Sequence, residues 1–106
     1  MPANTRCFRA RRRRKPDLRV CFADDAWEDY VHWSRTDPAM LGRINELVEN
    51  ARRTPHTGLG KPEPLKGDLA GWWSRRITGE HRLVYRVQGK RGVDQQIVIA
   101  QCRFHY

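Results

Sequence analysis

The sequence predicts an α+β domain in the order β-α-α-β-β-β, with two N-terminal helices packed on a small, mostly antiparallel sheet. Three observations predict it. Two stretches with helical periodicity stand side by side in the first half of the chain, one short apolar run precedes them, and alternating runs that read as strands follow them. Helices and strands segregated in this way belong to an α+β arrangement rather than to repeating βαβ units. At 106 residues, a single hydrophobic core is expected.

The run LRVCF, from Leu18, is the first strand. DDAWEDYVHWSRTD follows, with Trp27, Tyr30, Val31 and Ser34 on one helical face and Asp24 and Asp25 suited to the first turn. The second helix starts at Asp37-Pro38, an N-cap residue followed by a proline whose missing N–H costs nothing in the first turn. Leu41, Ile44, Val48 and Ala51 line one stripe of it, Arg52 and Arg53 suit its negative end, and Pro55 stops it. Residues 54–71 form a loop rich in Gly, Pro and Lys, long enough to suggest a functional segment. WWSRRITGEHRLVYRV then reads as a hairpin through Gly79-Glu80, suited to a type II′ turn. Alternation puts Leu83, Tyr85 and Val87 on the core side and Arg82, Val84 and Arg86 on the other. A second turn, QGKRGVDQ, leads to a last strand, QIVIAQCRFHY, in which Cys102 and Phe104 point to the core and Arg103 and His105 to the opposite face.

Charge is unevenly distributed. The chain carries 21 Lys and Arg against 12 Asp and Glu, a formal net charge of +9 that favours polyanionic partners. Residues 1–17 carry +6, residues 18–50 carry −4 and residues 51–106 carry +7. The first block lacks apolar periodicity and reads as a disordered basic arm ahead of a domain at residues 18–106, with nucleic-acid binding expected of the domain's later half. Cys7, Cys21 and Cys102 cannot all pair within one chain and none forms a CxxC, so neither a disulfide framework nor a redox motif is expected. No apolar stretch approaches a membrane helix and the basic start lacks the apolar segment of a secretory signal, so a soluble, cytoplasmic protein with no membrane partner is expected.

Chemistry concentrates in the later half. Glu63 sits in Lys61-Pro62-Glu63-Pro64, where the two prolines stiffen the backbone and hold the carboxylate on an extended stretch. Taken alone it reads equally as an exposed surface glutamate, and His105 alone as an ordinary surface imidazole. Together with Arg82, and converging on a cleft lined by Lys61, Lys66, Arg75 and Arg76, they would form a complete acid/base set. A carboxylate takes a proton, an imidazolium gives one, and a guanidinium braces the charge of a phosphorane. That equipment suffices for RNA cleavage through the ribose 2′-OH without a metal or another cofactor. Cys102 and His105 have CxxH spacing without a second ligand pair, and no Asp/Glu cluster has two-metal character, so no metal site is expected. The four tryptophans are assigned to packing rather than to base stacking.

KPEPLKGDLAGWWSRRITGEHRLVY and the terminal CRFHY, with AWEDYVHW and INELVENARRTP upstream, resemble the YoeB (Txe/YoeB) toxins of type II toxin-antitoxin systems, within the RelE superfamily. The resemblance spans about residues 18–106 and implies a microbial-ribonuclease-like fold. It implies a ribosome-dependent endoribonuclease, an mRNA interferase cutting in the ribosomal A site and so inhibiting translation. It carries catalytic roles onto Glu63, Arg82, His105 and Tyr106, and phosphate contacts onto Lys61, Lys66 and Arg76. The partners it implies are a YefM/Phd-type antitoxin, the 70S ribosome with its mRNA, a homodimer or a hetero-oligomer with antitoxin, and operator DNA through the antitoxin complex. The basic arm has no counterpart in that pattern. Two other functions stay open beside the nuclease: a non-catalytic translation inhibitor that occupies the ribosome through its basic half, and a DNA-binding partner in operon control.

Overall fold

The computed structural model describes the backbone of Thr5–Cys7 and the whole of residues 18–104. The elements in chain order are β1 (Thr5–Cys7), β2 (Arg19–Ala23), α1 (Asp24–Thr36), α2 (Pro38–Arg53), β3 (Glu63–Pro64), a 3-10 turn (Gly67–Leu69), β4 (Trp73–Arg76), β5 (Arg82–Gln88) and β6 (Gln96–Gln101). One six-stranded sheet runs β1-β2-β6-β5-β4-β3, antiparallel throughout except where β2 pairs parallel with β6. This is the expected α+β architecture with a short strand added at each edge. Within residues 1–17, expected to form a basic arm, Thr5–Cys7 pair antiparallel with β2, from Thr5 opposite Ala23 to Cys7 opposite Cys21. Its other residues lie outside the described ones. Cys21 is disulfide-bonded, against the expectation from the cysteine pattern, and the free cysteine among the described residues is the buried Cys102.

The core lies between the helices and one face of the sheet. In α1 the inward stripe is Ala26, Tyr30 and Trp33, at the i, i+4, i+7 spacing of one helical face. It is turned from the expected Trp27, Tyr30, Val31, Ser34 stripe. Trp27 stacks on Tyr30 at 5.9 Å and meets Phe22 edge-on at 6.0 Å, while Ser34 is exposed. In α2, Met40, Ile44, Leu47, Val48 and Ala51 are buried and Leu41 is half-buried, close to the expected stripe. Pro38 opens α2 as expected, but the Asp37 carboxylate makes no capping bond; the Asp37 N–H instead donates to the Trp33 carbonyl at 2.8 Å, closing α1. Leu83, Tyr85, Ile97 and Ile99 face the helices from β5 and β6. Full burial of each aliphatic residue contributes about 1.5–3 kcal/mol.

Val84 and Val98 are also buried, but outside this core, on the opposite face of the sheet. The β4–β5 connection is not a two-residue II′ turn. Gly79 has no left-handed φ, and the loop closes with the Ile77 N–H on the His81 carbonyl at 3.0 Å while the Thr78 hydroxyl accepts the Glu80 and His81 N–H groups, each at 3.2 Å. Gly89 does need its freedom. Its φ is 97°, and a Cβ there would lie 2.5 Å from the Asp94 carbonyl oxygen in the β5–β6 turn. Among the described residues, no helix is long and apolar enough to cross a membrane.

Candidate active site

The sheet face away from the helices carries three of the residues expected to act together, Glu63, Arg76 and Arg82. Glu63 forms β3 with Pro64 and stands opposite Ser74, Ser74 stands opposite Val84, and Arg76 stands opposite Arg82. Paired residues share a face, and so do residues two apart. Glu63, Ser74 and Val84 therefore make one row across the sheet, with Arg76 and Arg82 in the next row and Arg86 beyond Val84 on the other side. From Glu63 to Arg82 is two strand spacings across and two residues along, about 10 Å by 7 Å between Cα atoms. That gap suits a phosphodiester reached by two long side chains. Glu63, Lys61, Lys66 and Arg76 are exposed, and Arg82 is half-buried. The Arg82 Nε is buried and has no hydrogen-bond partner among the described residues. The Arg86 guanidinium lies over the Trp72 ring, 5.1 Å from its centroid.

Arg75 is the correction. Expected beside Arg76 on the cleft, it is fully buried, and alternation turns it toward the helices with Trp73 and Leu83. Its Nε donates to the Tyr85 hydroxyl at 2.9 Å; one terminal nitrogen donates to Asn50 Oδ1 at 2.6 Å and the Leu59 carbonyl at 3.0 Å, the other to the carbonyls of Thr54 at 2.6 Å and Thr57 at 2.8 Å. Those bonds leave it no donor direction for a phosphate. Tyr85 passes the link on, donating to the Pro55 carbonyl at 2.5 Å. Burial pushes the Tyr85 phenol up, against the lowering pull of Arg75. What Arg75 does is hold residues 54–59 against β4, and that loop delivers the chain to Lys61 and Glu63. The Arg76 N–H donates to the Gly60 carbonyl at 2.7 Å, docking the end of the loop beside β4.

His105 and Tyr106 lie outside the described residues. The chain leading to them departs from the expected strand: β6 ends at Gln101, and Phe104 has a left-handed φ of 64°. Cys102 is buried as expected, while Phe104 is 57% exposed and is no core anchor. The Arg103 guanidinium turns to the α1 side, 5.9 Å from the Trp33 centroid and 4.4 Å from that of Phe104, instead of joining Arg82 on the cleft face. Two α1 residues grip the bend: Asp29 accepts the Cys102 N–H at 3.1 Å and the Trp33 indole donates to the Cys102 carbonyl at 2.9 Å. Burial pushes the Asp29 carboxyl up, partly offset by the Cys102 N–H and Arg103. Burial, reinforced by Asp29, pushes the Cys102 thiol up strongly, which keeps it an inert thiol. Sequence reasoning missed Asp29, Trp33 and also His81, whose Nδ1 accepts the Phe104 N–H at 2.7 Å. Periodicity carries no signal for side chains that hold an irregular terminus.

The sheet face away from the helices thus carries a proline-flanked glutamate and, one row along, two arginines. Residues 22–106 match the family model described as the YoeB-like toxin of bacterial type II toxin-antitoxin systems. The chain is 49% identical over 89 residues to Toxin YoeB of Escherichia coli (strain K12), across 84% of this chain and 100% of that protein. Among solved structures, it is similar to the YoeB/ParE toxin from Agrobacterium tumefaciens at 59% identity and a TM-score of 0.79, covering 82% of this chain and 98% of that one. A YoeB dimer from Staphylococcus aureus is similar at 43% identity and a TM-score of 0.75, and a YoeB-YefM complex from the same organism at 41% and 0.73; each match covers 86% of this chain and 100% of the other. The chain belongs to the YoeB-like toxin family of bacterial type II toxin-antitoxin systems.

Proposed function

We propose that this toxin is a ribosome-dependent endoribonuclease that cuts mRNA in the ribosomal A site by metal-independent acid/base catalysis. The observation that carries the reading is the register of Glu63 and Arg82 on one sheet face, with the Arg82 Nε buried and without a hydrogen-bond partner among the described residues. Glu63 removes the proton from the ribose 2′-OH, and O2′ attacks the adjacent phosphorus. The bond to the 5′-oxygen breaks, and His105 protonates that oxygen as it leaves, giving a 2′,3′-cyclic phosphate and a 5′-OH. Arg82 stabilises the charge on the phosphorane, worth several kcal/mol where such donors are preorganised. Lys61, Lys66 and Arg76 engage neighbouring phosphates, and Tyr106 positions the RNA or assists the leaving group. DNA lacks the attacking hydroxyl and is inert.

The Staphylococcus aureus YoeB-YefM complex supports a YefM-type antitoxin as partner, and the YoeB dimer supports self-association. Operator DNA is reached through the antitoxin complex, and the protein acts in the cytoplasm, where ribosomes are. The test is cleavage of mRNA on translating ribosomes by Glu63→Gln and His105→Ala variants. Each is expected to bind ribosomes normally and cut about 10²–10⁴-fold more slowly. Undiminished toxicity in both variants would favour the non-catalytic ribosome blocker instead.

A further inference from the structure

His81 and Arg82, adjacent at the start of β5, grip both polar main-chain groups of Phe104. The Phe104 N–H donates to His81 Nδ1 at 2.7 Å, and the Phe104 carbonyl accepts the Arg82 N–H at 3.1 Å. The rest of the bend is held in the same way. Asp29 and Trp33 take the two polar groups of Cys102, and the Gln101 amide donates to the carbonyls of Arg103 at 3.1 Å and Phe104 at 3.3 Å. Phe104 has a left-handed backbone, which costs a non-glycine residue of order 1–3 kcal/mol, and its ring is too exposed for burial to offset that. Hydrogen bonds are what hold it. The His81 ring is itself fixed, edge-on to Trp33 at 4.9 Å and tilted against Phe104 at 5.8 Å.

We propose that His81 is a positioning residue for the cleavage reaction: by accepting the Phe104 N–H it fixes the turn from which the chain continues to His105 and Tyr106. The inference rests on the reading of His105 as the acid. His81 needs no contact with RNA. A backbone N–H donates to Nδ1, so that nitrogen supplies a lone pair and the proton of the neutral ring sits on Nε2. An asparagine can supply the same acceptor, because its Oδ1 is attached to Cγ as Nδ1 is; a leucine fills the space and supplies none.

The experiment compares the full-length protein with His81→Leu, His81→Asn and His105→Ala, measuring mRNA cleavage against ribosome concentration and amide exchange at Phe104 and Ile99. His81→Leu is expected to cut about 10- to 100-fold more slowly at saturating ribosomes with an unchanged half-saturating concentration, the signature of a misplaced catalytic group. Its Phe104 amide should exchange about five- to tenfold faster, the worth of one hydrogen bond, while Ile99 stays protected, showing that the fold is intact. His81→Asn should restore both. Parental cleavage by His81→Leu overturns the proposal, as does equal damage in the Asn and Leu variants, or a Phe104 amide that exchanges at the parental rate. If His105→Ala cuts as fast as the parent, the acid assignment fails, and the exchange at Phe104, read without substrate, still decides whether His81 holds the turn.

Discussion

Arg75 and Arg76 are neighbours in sequence with opposite roles. Arg75 is a fully buried cation whose acceptors are neutral: a phenol, a side-chain amide and three main-chain carbonyls. Removing the guanidinium strands several of those acceptors, so Arg75→Met is expected to lower unfolding stability by at least about 2 kcal/mol, while Arg76→Met, at an exposed site, stays within about 0.5 kcal/mol. Denaturant midpoints check this; equal midpoints would show that the loop carbonyls do not depend on Arg75. The distinction was legible in principle. Leu83 reads as core-facing from alternation, Arg75 stands opposite it in β4–β5 pairing, and two adjacent strand residues cannot share a face. Grouping the two arginines by charge alone hides it. The extended backbone at Glu63 is legible from its prolines, which dictate backbone shape locally, whereas four of the five acceptors of Arg75 come from residues 50–59 and depend on how a loop folds back.

At the scale of elements, α2 was the most readable, because sixteen residues repeat the 3.6-residue period several times. β1 and β3, of three and two residues, are too short for a period to show. The end of β6 misled because alternation was extended past Gln101, where the chain bends under the pull of Asp29, Trp33 and His81. Asp29 ties α1 to that bend, and its pH dependence has a definite sign. Its folded-state pKa is raised above 3.8, chiefly by burial. Its contribution to stability is therefore fully present below the unfolded value and is lost as pH rises through the folded one. Asp29→Asn keeps an oxygen to accept the Cys102 N–H and removes the half-buried charge. Relative to the parent, the variant should gain more stability at pH 7 than at pH 4. Thermal melts at the two pH values decide it, and a larger gain at pH 4 would reverse the assignment.

Across the whole molecule, acidic residues concentrate between 18 and 50, which holds α1 and most of α2, and basic ones between 51 and 106, which supplies Lys61, Lys66, Arg76, Arg82 and Arg86. Under the proposed function, these basic side chains are the ones that meet the polyanion. Binding to ribosome-held mRNA should accordingly weaken with salt, and Lys66→Ala should flatten the log–log slope by about 0.7–0.9, the release of one counterion. An unchanged slope would remove Lys66 from the phosphate path. The claim on which the rest depends is that this surface does chemistry through the ribose hydroxyl. Its most direct test is to map RNA ends from translating ribosomes, with and without the toxin, in the presence of a chelator that spares ribosomal magnesium, and to identify the terminal groups. The account predicts new A-site ends bearing a 2′,3′-cyclic phosphate on one fragment and a 5′-OH on the other. Ends bearing a 3′-OH and a 5′-phosphate, or ribosomes that stall with their mRNA intact, would contradict it.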